Sequence, residues 1–421
     1  MRVAFFVNVF PKFSETFVVS QIAGLIDRGH DVQVFGRRPP GVPLDPLPAR
    51  YRLRERTHHY RCGLNTLPHA LSNARKKPGD ALRALGRTLL ERRPATFDAA
   101  SMWGCATALL AAGPRFDAII AHFGPNALLA QRMRELGVLH GGLLSVFHGH
   151  DASRAVRKHG PHYYAPVFAH SELVLPVSEY FGQRLHELGC PRKRLRVHHM
   201  GVDLDRFEFK ARRLDGSSTV RLLSVCRLVE KKGMDHALRA AARLRAAGAT
   251  FAWQILGEGP ELPKLRALAQ KLDLASSVQL LGGVSHDAVR EALQSAHLFV
   301  APSVTAIDGD EEGIPVAIME AAAAGLPIVS TRHSGIPELV RHGETGLLAP
   351  ERDVEQLATN LLTLIRAPER WAALGAGGRA IVADEFNARK LDDRLAVLAE
   401  RAAIEHRELR PLYTSSAARA T

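Results

Sequence analysis

The sequence contains little cysteine, and its cysteines show no spacing typical of metal ligands. Cys62, Cys105, Cys190 and Cys226 are scattered along 421 residues without a C-x-x-C pair. Zinc sites and disulfide frameworks need closely spaced or paired cysteines, so the sequence predicts neither. This cysteine usage is typical of a reducing compartment, and we therefore expect the protein to work in the cytoplasm.

The chain also lacks a long hydrophobic run. No uncharged apolar stretch reaches the roughly 18 residues that a transmembrane helix needs, so none is predicted. The N-terminal apolar run from Val3 to Phe10 ends at Pro11 without a small-residue cleavage site, which indicates a strand rather than a signal peptide. Any membrane contact is expected to be peripheral, on the inner face of the cell membrane.

Two further features are missing, and each excludes a class of protein. The first strand is not followed by G-x-G-x-x-G, which argues against a dinucleotide-binding dehydrogenase. The net charge of +13 fits partners that carry negative charge, among them nucleic acid, an anionic membrane and phosphate-bearing substrates. Only 6% of the residues are aromatic and no recognition motif occurs, so a basic nucleic-acid-binding protein is a rival that we do not favour.

What the sequence does contain is two series of apolar strands alternating with helices, which predicts an α/β protein with two parallel sheets. The first series has strands near residues 1–10, 31–36, 118–121, 143–147, 173–177 and 195–197, and the second near 220–225, 251–256, 278–281, 298–301 and 328–330. Ligands of such sheets bind beyond the carboxyl ends of the strands, so the residues that follow each strand are the candidates for a site.

Two glutamates, Glu312 and Glu320, flank a Gly-Ile-Pro turn that leads into a short helix. Pro315 fits the first helical position, and Gly325 fits the position just past the helix end. The free N–H groups at the start of this helix suit a phosphate. At a rise of ~1.5 Å per residue the glutamates stand about 10 Å apart, which fits two ends of a nucleotide sugar. From the residues alone, either one glutamate holds a sugar and the other a ribose, or the two act as an acid and base pair.

Cationic and glycine-rich loops follow the other strands of the second series. Arg227 and Lys232 lie between the first strand and its helix, where they either clamp a diphosphate or are ordinary surface charges. Gly257, Glu258 and Gly259 follow the second strand, and their glycines either let the backbone approach a ligand or serve a plain turn. Ser303 follows a later strand and precedes the acidic stretch.

Polar residues also follow strands of the first series. Ser14, Glu15 and Thr16 either contact an acceptor or start a helix as a cap with a nearby acid. His122 ends one strand, and His148-Gly149-His150-Asp151 follows the next. These groups either hydrogen-bond a substrate hydroxyl, cap the following turn or bind a metal, although a third spaced metal ligand is missing.

Two stretches carry charge whose role is open. Asp308-Gly309-Asp310 is a literal D-x-D, a motif that can hold a divalent metal ion. Because Arg227 and Lys232 already supply the positive charge that such an ion would add, we predict a solvated acidic loop, no metal and no cofactor. Residues 50–93 are dense in arginine and lysine, with leucines at helical spacing. This pattern indicates either a solvated helix face or a surface that docks on an anionic membrane.

In their order along the chain, these motifs resemble the donor site of family 4 retaining glycosyltransferases of GT-B fold. The resemblance rests on Arg227 with Lys232-Gly233, on Gly257-Glu258-Gly259-Pro260, and on Glu312-Gly313-Ile314-Pro315 with Glu320. Residues 10–17, 148–151, 201–203 and 335–338 further resemble bacterial exopolysaccharide enzymes of the colanic acid and amylovoran type. The resemblance covers nearly the whole chain, but the first loop lacks the glycine-rich turn of many relatives.

The resemblance implies a retaining transfer of a hexose from a UDP- or GDP-linked sugar to a saccharide or lipid-linked acceptor, in exopolysaccharide or lipopolysaccharide biosynthesis. It implies that Glu312 binds donor hydroxyls without acting as a nucleophile, that Glu320 binds ribose, and that His148 lies by the reacting sugar. Arg227 and Lys232 would hold the diphosphate, near the residues Gly313, Ile314, Pro315 and Val316. A nucleotide-sugar epimerase or hydrolase on the same frame is the rival among enzymes.

The resemblance and the composition together predict two Rossmann-like domains facing across a cleft. The acceptor-binding domain is expected over residues 1–203, a linker over 204–218, and the nucleotide-sugar domain over 219–385. A helix over 386–410 is expected to cross back to the first domain, followed by a disordered tail over 411–421.

Overall fold

The computed structural model describes residues 1–12, 15–38, 49–60, 67–75, 78–89, 97–214, 216 and 219–417. The chain forms two compact units. The first comprises Met1–Pro176, Gly182–His198 and Asp392–Thr421, and the second comprises Val177–Phe181 and His199–Leu391. The domain boundaries expected from the sequence, at residues 203 and 219, stay a prediction.

The first unit is built on a parallel sheet of six strands in the order β3-β2-β1-β4-β5-β6. The strands are β1 (Arg2–Val9), β2 (Asp31–Arg37), β3 (Thr57–Tyr60), β4 (Arg115–His122), β5 (His140–Phe147) and β6 (Leu173–Pro176). The helices are α1 (Thr16–Asp27), α2 (Leu53–Arg56), α3 (Leu67–Ala74), α4 (Pro78–Leu89), α5 (Ala99–Ala112), α6 (Gly124–Glu135), α7 (Gly149–Ala152), α8 (Arg154–His159) and α9 (Ala165–His170). Val3 to Val7 of β1 are buried on both faces, as an apolar central strand of a parallel sheet requires.

The second unit repeats this plan with the order β12-β11-β10-β7-β8-β9. Its strands are β7 (Val220–Val225), β8 (Phe251–Leu256), β9 (Val278–Gly282), β10 (Leu298–Ala301), β11 (Ile328–Thr331) and β12 (Gly346–Ala349). Helix α10 (Glu179–Glu187) is divided between the units, with residues from Gly182 onward in the first. The helices of the second unit are α11 (Met234–Ala246), α12 (Leu262–Lys271), α13 (His286–Ser295), α14 (Val316–Ala323), α15 (Ile336–Leu339), α16 (Val354–Arg366) and α17 (Trp371–Glu385). Each sheet changes direction of winding at one place, between β1 and β4 or between β7 and β10, where ligands of such sheets bind.

The prediction of two parallel α/β sheets is confirmed, with differences at short strands. The sequence analysis missed β3 and β12, which have four residues each and lie at sheet edges. The predicted strand near 195–197 is wrong, because Leu195 forms only a single bridge with Val174. Among the described residues, no helix has the length and apolar character needed to cross a bilayer.

The described part of the predicted linker, residues 204–214 and 216, is not a free tether, because Arg212 fixes it to the second unit. Arg212 is 2% exposed and donates hydrogen bonds to the carbonyls of Gln294, Ala296 and Ala324 at 2.6 to 3.1 Å. These carbonyls belong to the ends of α13 and α14, where a cation complements the helix dipole. Polar composition alone does not distinguish such a packed segment from a linker.

The last helix, α18 (Ala388–Ala417), belongs to the first unit from Asp392 onward. The buried carboxylate of Glu172 ties it there, accepting from the Leu143 N–H at 2.6 Å and lying 2.8 Å from Arg134 and 3.1 Å from His406. The helix continues to Ala417, unlike the disordered tail expected from residue 411, while residues 418–421 lie outside the described part. A long helix can extend past one proline at the loss of one hydrogen bond.

Candidate active site

The loops after β7 and β10 bring Lys232 and Glu312 together, because these strands are neighbours in the second sheet. Lys232 lies on the loop after β7, and Glu312 lies on the loop after β10. Glu312 Oε2 is 2.9 Å from Lys232 Nζ, and Glu312 Oε1 is 3.2 Å from Lys231 Nζ. Lys231 was not among the predicted site residues, and only its position beside Lys232 signalled it.

The two lysines set the charge of Glu312. Burial acts to raise the pKa of this carboxyl, but the ammonium groups of Lys232 and Lys231 outweigh burial and lower the pKa to about 2. Glu312 is therefore an ionised and weakly basic carboxylate at neutral pH. Its buried Oε1 is aligned with no hydrogen-bond donor of the described residues.

Lys231 is in turn held by the acidic loop that precedes Glu312. Its Nζ donates to Asp310 Oδ1 at 3.0 Å and to the Glu311 carbonyl at 3.2 Å. Burial acts to lower the pKa of Lys231, while the carboxylates of Glu312 and Asp310 outweigh burial and raise it. The ammonium group thus stays charged between two carboxylates.

These contacts correct the interpretation of Asp308-Gly309-Asp310 as a solvated acidic loop. Asp310 is a partner of Lys231, and Asp308 Oδ1 accepts the Asp310 N–H at 3.0 Å, which folds the loop on itself. Within the described residues, no group of three histidine, cysteine or acidic side chains is arranged to hold a metal ion. Metal-independence itself stays a prediction.

The two glycines of the loop after β8, Gly257 and Gly259, serve backbone packing. A Cβ at Gly257 would lie 1.8 Å from the Cys226 carbonyl oxygen, and one at Gly259 would lie 2.2 Å from that of Leu228. The Glu258 carbonyl also accepts the Leu228 N–H at 2.7 Å. The loops after β7 and β8 therefore lock together, whereas the sequence suggested close approach of a ligand or a plain turn.

Gly233 plays the same part next to Lys232. Its φ is +63°, and a Cβ there would lie 1.9 Å from the Pro302 carbonyl oxygen. The Val304 N–H donates to the Lys231 carbonyl at 2.9 Å. This turn therefore seats both lysines against the loop after β10. Ser303 is 1% exposed on that loop and lines a small pocket with Cys226, Lys232 and Ala317.

Helix α14 presents unpaired backbone donors. The N–H groups of Gly313, Ile314, Val316 and Ala317 donate to no acceptor in the described part of the chain. Pro315 lies one position earlier than predicted, at the N-cap, and Gly325 lies just past the helix end with φ +83°, as predicted. Val316 and Ala317 lie in the first turn of α14, and Gly313 and Ile314 lie just before its N-cap, so the four free donors together make a candidate site for an anion.

Glu320 lies on α14 and makes no side-chain hydrogen bond or ion pair with the described residues. Burial raises its pKa to about 7, against the guanidinium of Arg206, which lowers it. A carboxyl so placed is available to hydrogen-bond a hydroxyl of a ligand. Arg227, by contrast, is exposed and has no ion-pair partner among the described residues.

The side chain of Glu258 packs against Gly283, since its Oε1 would lie 2.7 Å from a Cβ added there.

Two residues after β11, which the sequence analysis missed as site residues, hold the backbone of Glu312. His333 is 1% exposed, and its Nε2 accepts the Glu312 N–H at 3.0 Å. Ser334 has a φ of +42° and donates its hydroxyl to the carbonyls of Glu312 and Gly313 at 2.6 and 3.0 Å. The positive φ of Ser334 could not be predicted from the sequence, since it is not a glycine.

In the first unit, the residues after β4 and β5 form a second polar cluster. His122 Nδ1 lies 3.2 Å from His148 Nε2, and the Phe123 ring centroid is 4.3 Å from that of His148. Burial lowers the pKa of His148 to about 3, and burial with the neighbouring His148 lowers that of His122. Both rings are therefore neutral at physiological pH.

Asp151 lies within this cluster as a buried group. Its carboxylate accepts the Gly124 N–H at 2.8 Å and the Ala152 N–H at 3.1 Å. Burial raises its pKa to about 7, while these backbone donors lower it. Asp151 and His122 are each 0% exposed, so in the free protein they support the turn that carries His148, and their predicted contact with an acceptor stays a prediction.

The predicted acceptor residues of the first loop are only partly visible. Ser14 lies outside the described residues. Glu15 is the N-cap residue of α1 without a capping side-chain bond, and it pairs with Lys12. Thr16 is exposed at the first position of α1. The alternative interpretation made Ser14 the cap and Glu15 an acid of the first turn; Glu15 lies at the N-cap position instead, and the capping role of Ser14 stays a prediction.

Comparison with known proteins gives matches over both units. The model of the glycosyl transferases group 1 matches residues 205–380, and that of Glycosyltransferase Family 4 matches residues 14–206. The amylovoran biosynthesis glycosyltransferase AmsK of Erwinia amylovora is 37% identical over 96% of this chain and 100% of its own. A Salmonella typhimurium protein described as a colanic acid biosynthesis glycosyltransferase, WcaL, is 36% identical over 94% of this chain and 99% of its own.

Solved structures share the fold at low identity. Anabaena HepE, solved in complex with UDP and glucose, has a TM-score of 0.67 and 16% identity over 94% of this chain and 99% of its own. Sucrose-phosphate synthase of Thermosynechococcus elongatus has a TM-score of 0.70 and 17% identity over 99% and 100% of the two chains. Together with the two six-stranded parallel sheets, these likenesses confirm the predicted GT-B fold class.

Proposed function

The chain belongs to the group 1 glycosyltransferases of family 4, and from this premise we propose that it transfers a hexose from a nucleotide sugar to a hydroxyl acceptor. The proposed transfer retains the anomeric configuration. The names of AmsK and WcaL support a place in exopolysaccharide biosynthesis, with a lipid-linked saccharide as acceptor.

The observation that carries the proposal is the combination of charges and donors around Glu312. An ionised carboxylate, each oxygen of which contacts one lysine, lies on the same loop as four unpaired N–H groups. A sugar diphosphate has matching parts, because hydroxyls donate to a carboxylate and phosphate oxygens accept from N–H and ammonium groups. Sugar hydroxyls placed at Glu312 would donate to its carboxylate, and phosphate placed at the start of α14 would accept from the free N–H groups.

In the proposed chemistry, positively charged protein groups stabilise the leaving diphosphate, and no protein nucleophile takes part. As the bond between the anomeric carbon and the diphosphate breaks, negative charge develops on the diphosphate oxygens. Lys232, Arg227 and the N–H groups of α14 offset that charge. The acceptor hydroxyl attacks from the same face and its proton passes to the departing diphosphate, so the configuration is kept. Glu312 is unsuited as a base because its pKa is about 2.

Binding roles follow for the other predicted residues. Glu320 is proposed to bind the ribose through its free carboxyl, and His148 is proposed to contact the reacting sugar. No metal is needed in this proposal, since Arg227 and Lys232 supply the charge that a divalent ion supplies elsewhere.

Thermal-shift measurements against UDP- and GDP-linked sugars identify the donor, because a bound donor stabilises the native state by mass action. The identified donor is then incubated with and without a lipid-linked saccharide. An acceptor-dependent product supports the proposal. A new sugar isomer or free sugar formed from the donor alone supports an epimerase or hydrolase, and nucleic-acid binding without donor binding supports the remaining rival.

Variants test the assigned residues. Glu312→Ala and Lys232→Ala are each expected to lower the transfer rate by about 100-fold or more while leaving the fold intact. The matched control is Asp308→Asn on the same loop, which keeps the Asp310 partner of Lys231. Near-normal turnover in either alanine variant contradicts the assignment.

A peripheral membrane contact is part of the proposal, because a lipid-linked acceptor lies at the inner membrane surface. In its support, Leu71 on α3 and Leu82 on α4 are 56% and 68% exposed, next to exposed Arg83. Lys76, Lys77 and residues 90–93 of the basic stretch lie outside the described residues. Sedimentation with anionic and neutral liposomes tests it, and equal binding to both contradicts it.

A further inference from the structure

We propose that His333 and Ser334 are positioning residues that orient the Glu312-Gly313 backbone toward the donor sugar. This inference rests on the function proposed above and deepens it, since neither residue is itself assigned a contact with substrate. All the contacts that carry it lie within the second unit.

The hydrogen bonds of His333 fix one tautomer. The Glu312 N–H can only donate, so the His333 Nε2 that receives it at 3.0 Å must be the unprotonated acceptor. The proton of the neutral ring then lies on Nδ1, which donates to Glu351 Oε1 at 2.5 Å. The ring is 1% exposed, so water does not substitute for either partner.

Ser334 fixes the carbonyl side of Glu312 and of the residue that follows it. Its hydroxyl bridges the carbonyls of Glu312 and Gly313, and the bridge holds with φ at +42°, a conformation that serine rarely adopts. Such strain persists only where surrounding contacts enforce it, and it is concentrated at functional sites. With the N–H of Glu312 bound to His333, three backbone groups of Glu312 and Gly313 are held from the loop after β11.

The side chain of Glu312 is held by a second route that ends at the same anchor. Glu351 accepts the Thr305 N–H at 2.8 Å, and the loop from Thr305 carries Asp310, which binds Lys231. Lys231 then contacts Glu312 Oε1. Glu351 therefore braces both the histidine that orients the Glu312 backbone and the loop that supports its carboxylate.

A shift of this backbone moves the Glu312 carboxylate and the Gly313 N–H together. Catalytic groups displaced by about 1 Å can cost roughly 100-fold in rate without loss of the fold. The expected signature is a loss in kcat, or in KM for the donor, with little change in thermal stability.

Two amide variants separate the two bonds of His333. The amide of His333→Gln reaches about the place of Nε2 and keeps an acceptor for the Glu312 N–H. The amide of His333→Asn reaches about the place of Nδ1 and keeps only the contact with Glu351. His342→Asn is the control for loss of an imidazole in the same unit, since His342 Nδ1 accepts the Leu348 N–H instead.

The experiment compares donor KM, kcat and melting temperature across these variants in the full-length protein. We expect His333→Gln to stay within about 3-fold of wild-type kcat/KM, and His333→Asn to lose about 100-fold at a similar melting temperature. Equal activity of the two variants, high or low, overturns the role of the Nε2 bond.

Ser334→Ala keeps the proposal testable if both histidine variants unfold. It removes the bridge to Glu312 and Gly313 without adding volume, and it is expected to lower kcat/KM at least 10-fold. Wild-type kcat/KM in this variant overturns the inference. Absence of transfer by the wild-type protein overturns the proposed function instead, so the two failures are distinguishable.

Discussion

Replacement of Glu320 by glutamine is predicted to stabilise the free protein at alkaline pH. The native pKa of Glu320 is about 7, raised from an ordinary 4.5 by burial. Between these values the native state binds more protons than the unfolded state, so stability falls as the pH rises from about 4.5 to 7. At about 1.4 kcal/mol per pH unit, the full effect is at most about 3 kcal/mol.

Glutamine has the shape of the protonated acid and does not titrate. At pH 4, below both pKa values, Glu320→Gln and wild type are therefore expected to have nearly the same free energy of unfolding. At pH 8 the variant is expected to be more stable by up to about 3 kcal/mol. Urea denaturation at both pH values measures this difference, and Glu344→Gln, at an exposed site of the same unit, controls for the loss of one surface charge.

The same variant is predicted to bind donor less tightly, because a hydroxyl of the ribose would lose an ionised acceptor. Loss of such a hydrogen bond costs about 1.5–3 kcal/mol, or roughly 10- to 100-fold in Kd. Calorimetric titration of the identified donor measures it. A variant that is no more stable than wild type at pH 8 refutes the burial argument, and unchanged donor affinity refutes the binding role.

Three further predictions concern the frame of the site. Gly233→Ala is expected to abolish donor binding, because its Cβ would lie 1.9 Å from the Pro302 carbonyl oxygen. The control is Gly248→Ala, which has a φ of +72° and open space around the added Cβ and is expected to lower the free energy of unfolding by only about 1 kcal/mol. Arg212→Met is expected to destabilise the protein by about 3 kcal/mol in urea, since three buried carbonyls lose their donor, and a change below 0.5 kcal/mol contradicts this. Chelation by EDTA is expected to leave transfer unchanged, and activity lost with EDTA and restored by manganese or magnesium contradicts the metal-free proposal.

The parallel sheets and the loops of the site were predictable because strand order and chemistry are linked in such folds. Apolar runs buried on both faces identified the central strands, and polar residues after them had to gather at the carboxyl edge. Lys232 and Glu312, which the structure brings together, were found in this way, whereas the roles of Arg227 and Glu320 stay predictions. The short edge strands β3 and β12 were missed, since four residues carry too little pattern.

The partners within the site could not be predicted from the sequence. Lys231 and Asp310 are 79 residues apart, and Glu312 and His333 are 21 apart, so only the folded sheet brings each pair together. Glycine at 257 was visible, but its close partner, the Cys226 carbonyl, was not. Likewise, the buried role of Arg212 depends on two helix ends that the sequence does not place side by side.

The most direct test of the account compares the affinities of the wild type and Glu312→Ala for a nucleotide sugar and for the nucleoside diphosphate alone. If Glu312 binds sugar hydroxyls, the variant loses at least 10-fold in affinity for the nucleotide sugar. Its affinity for the diphosphate alone stays equal or rises, because Lys231 and Lys232 are released from their carboxylate. Equal losses for both ligands, or no loss for the nucleotide sugar, contradict the account.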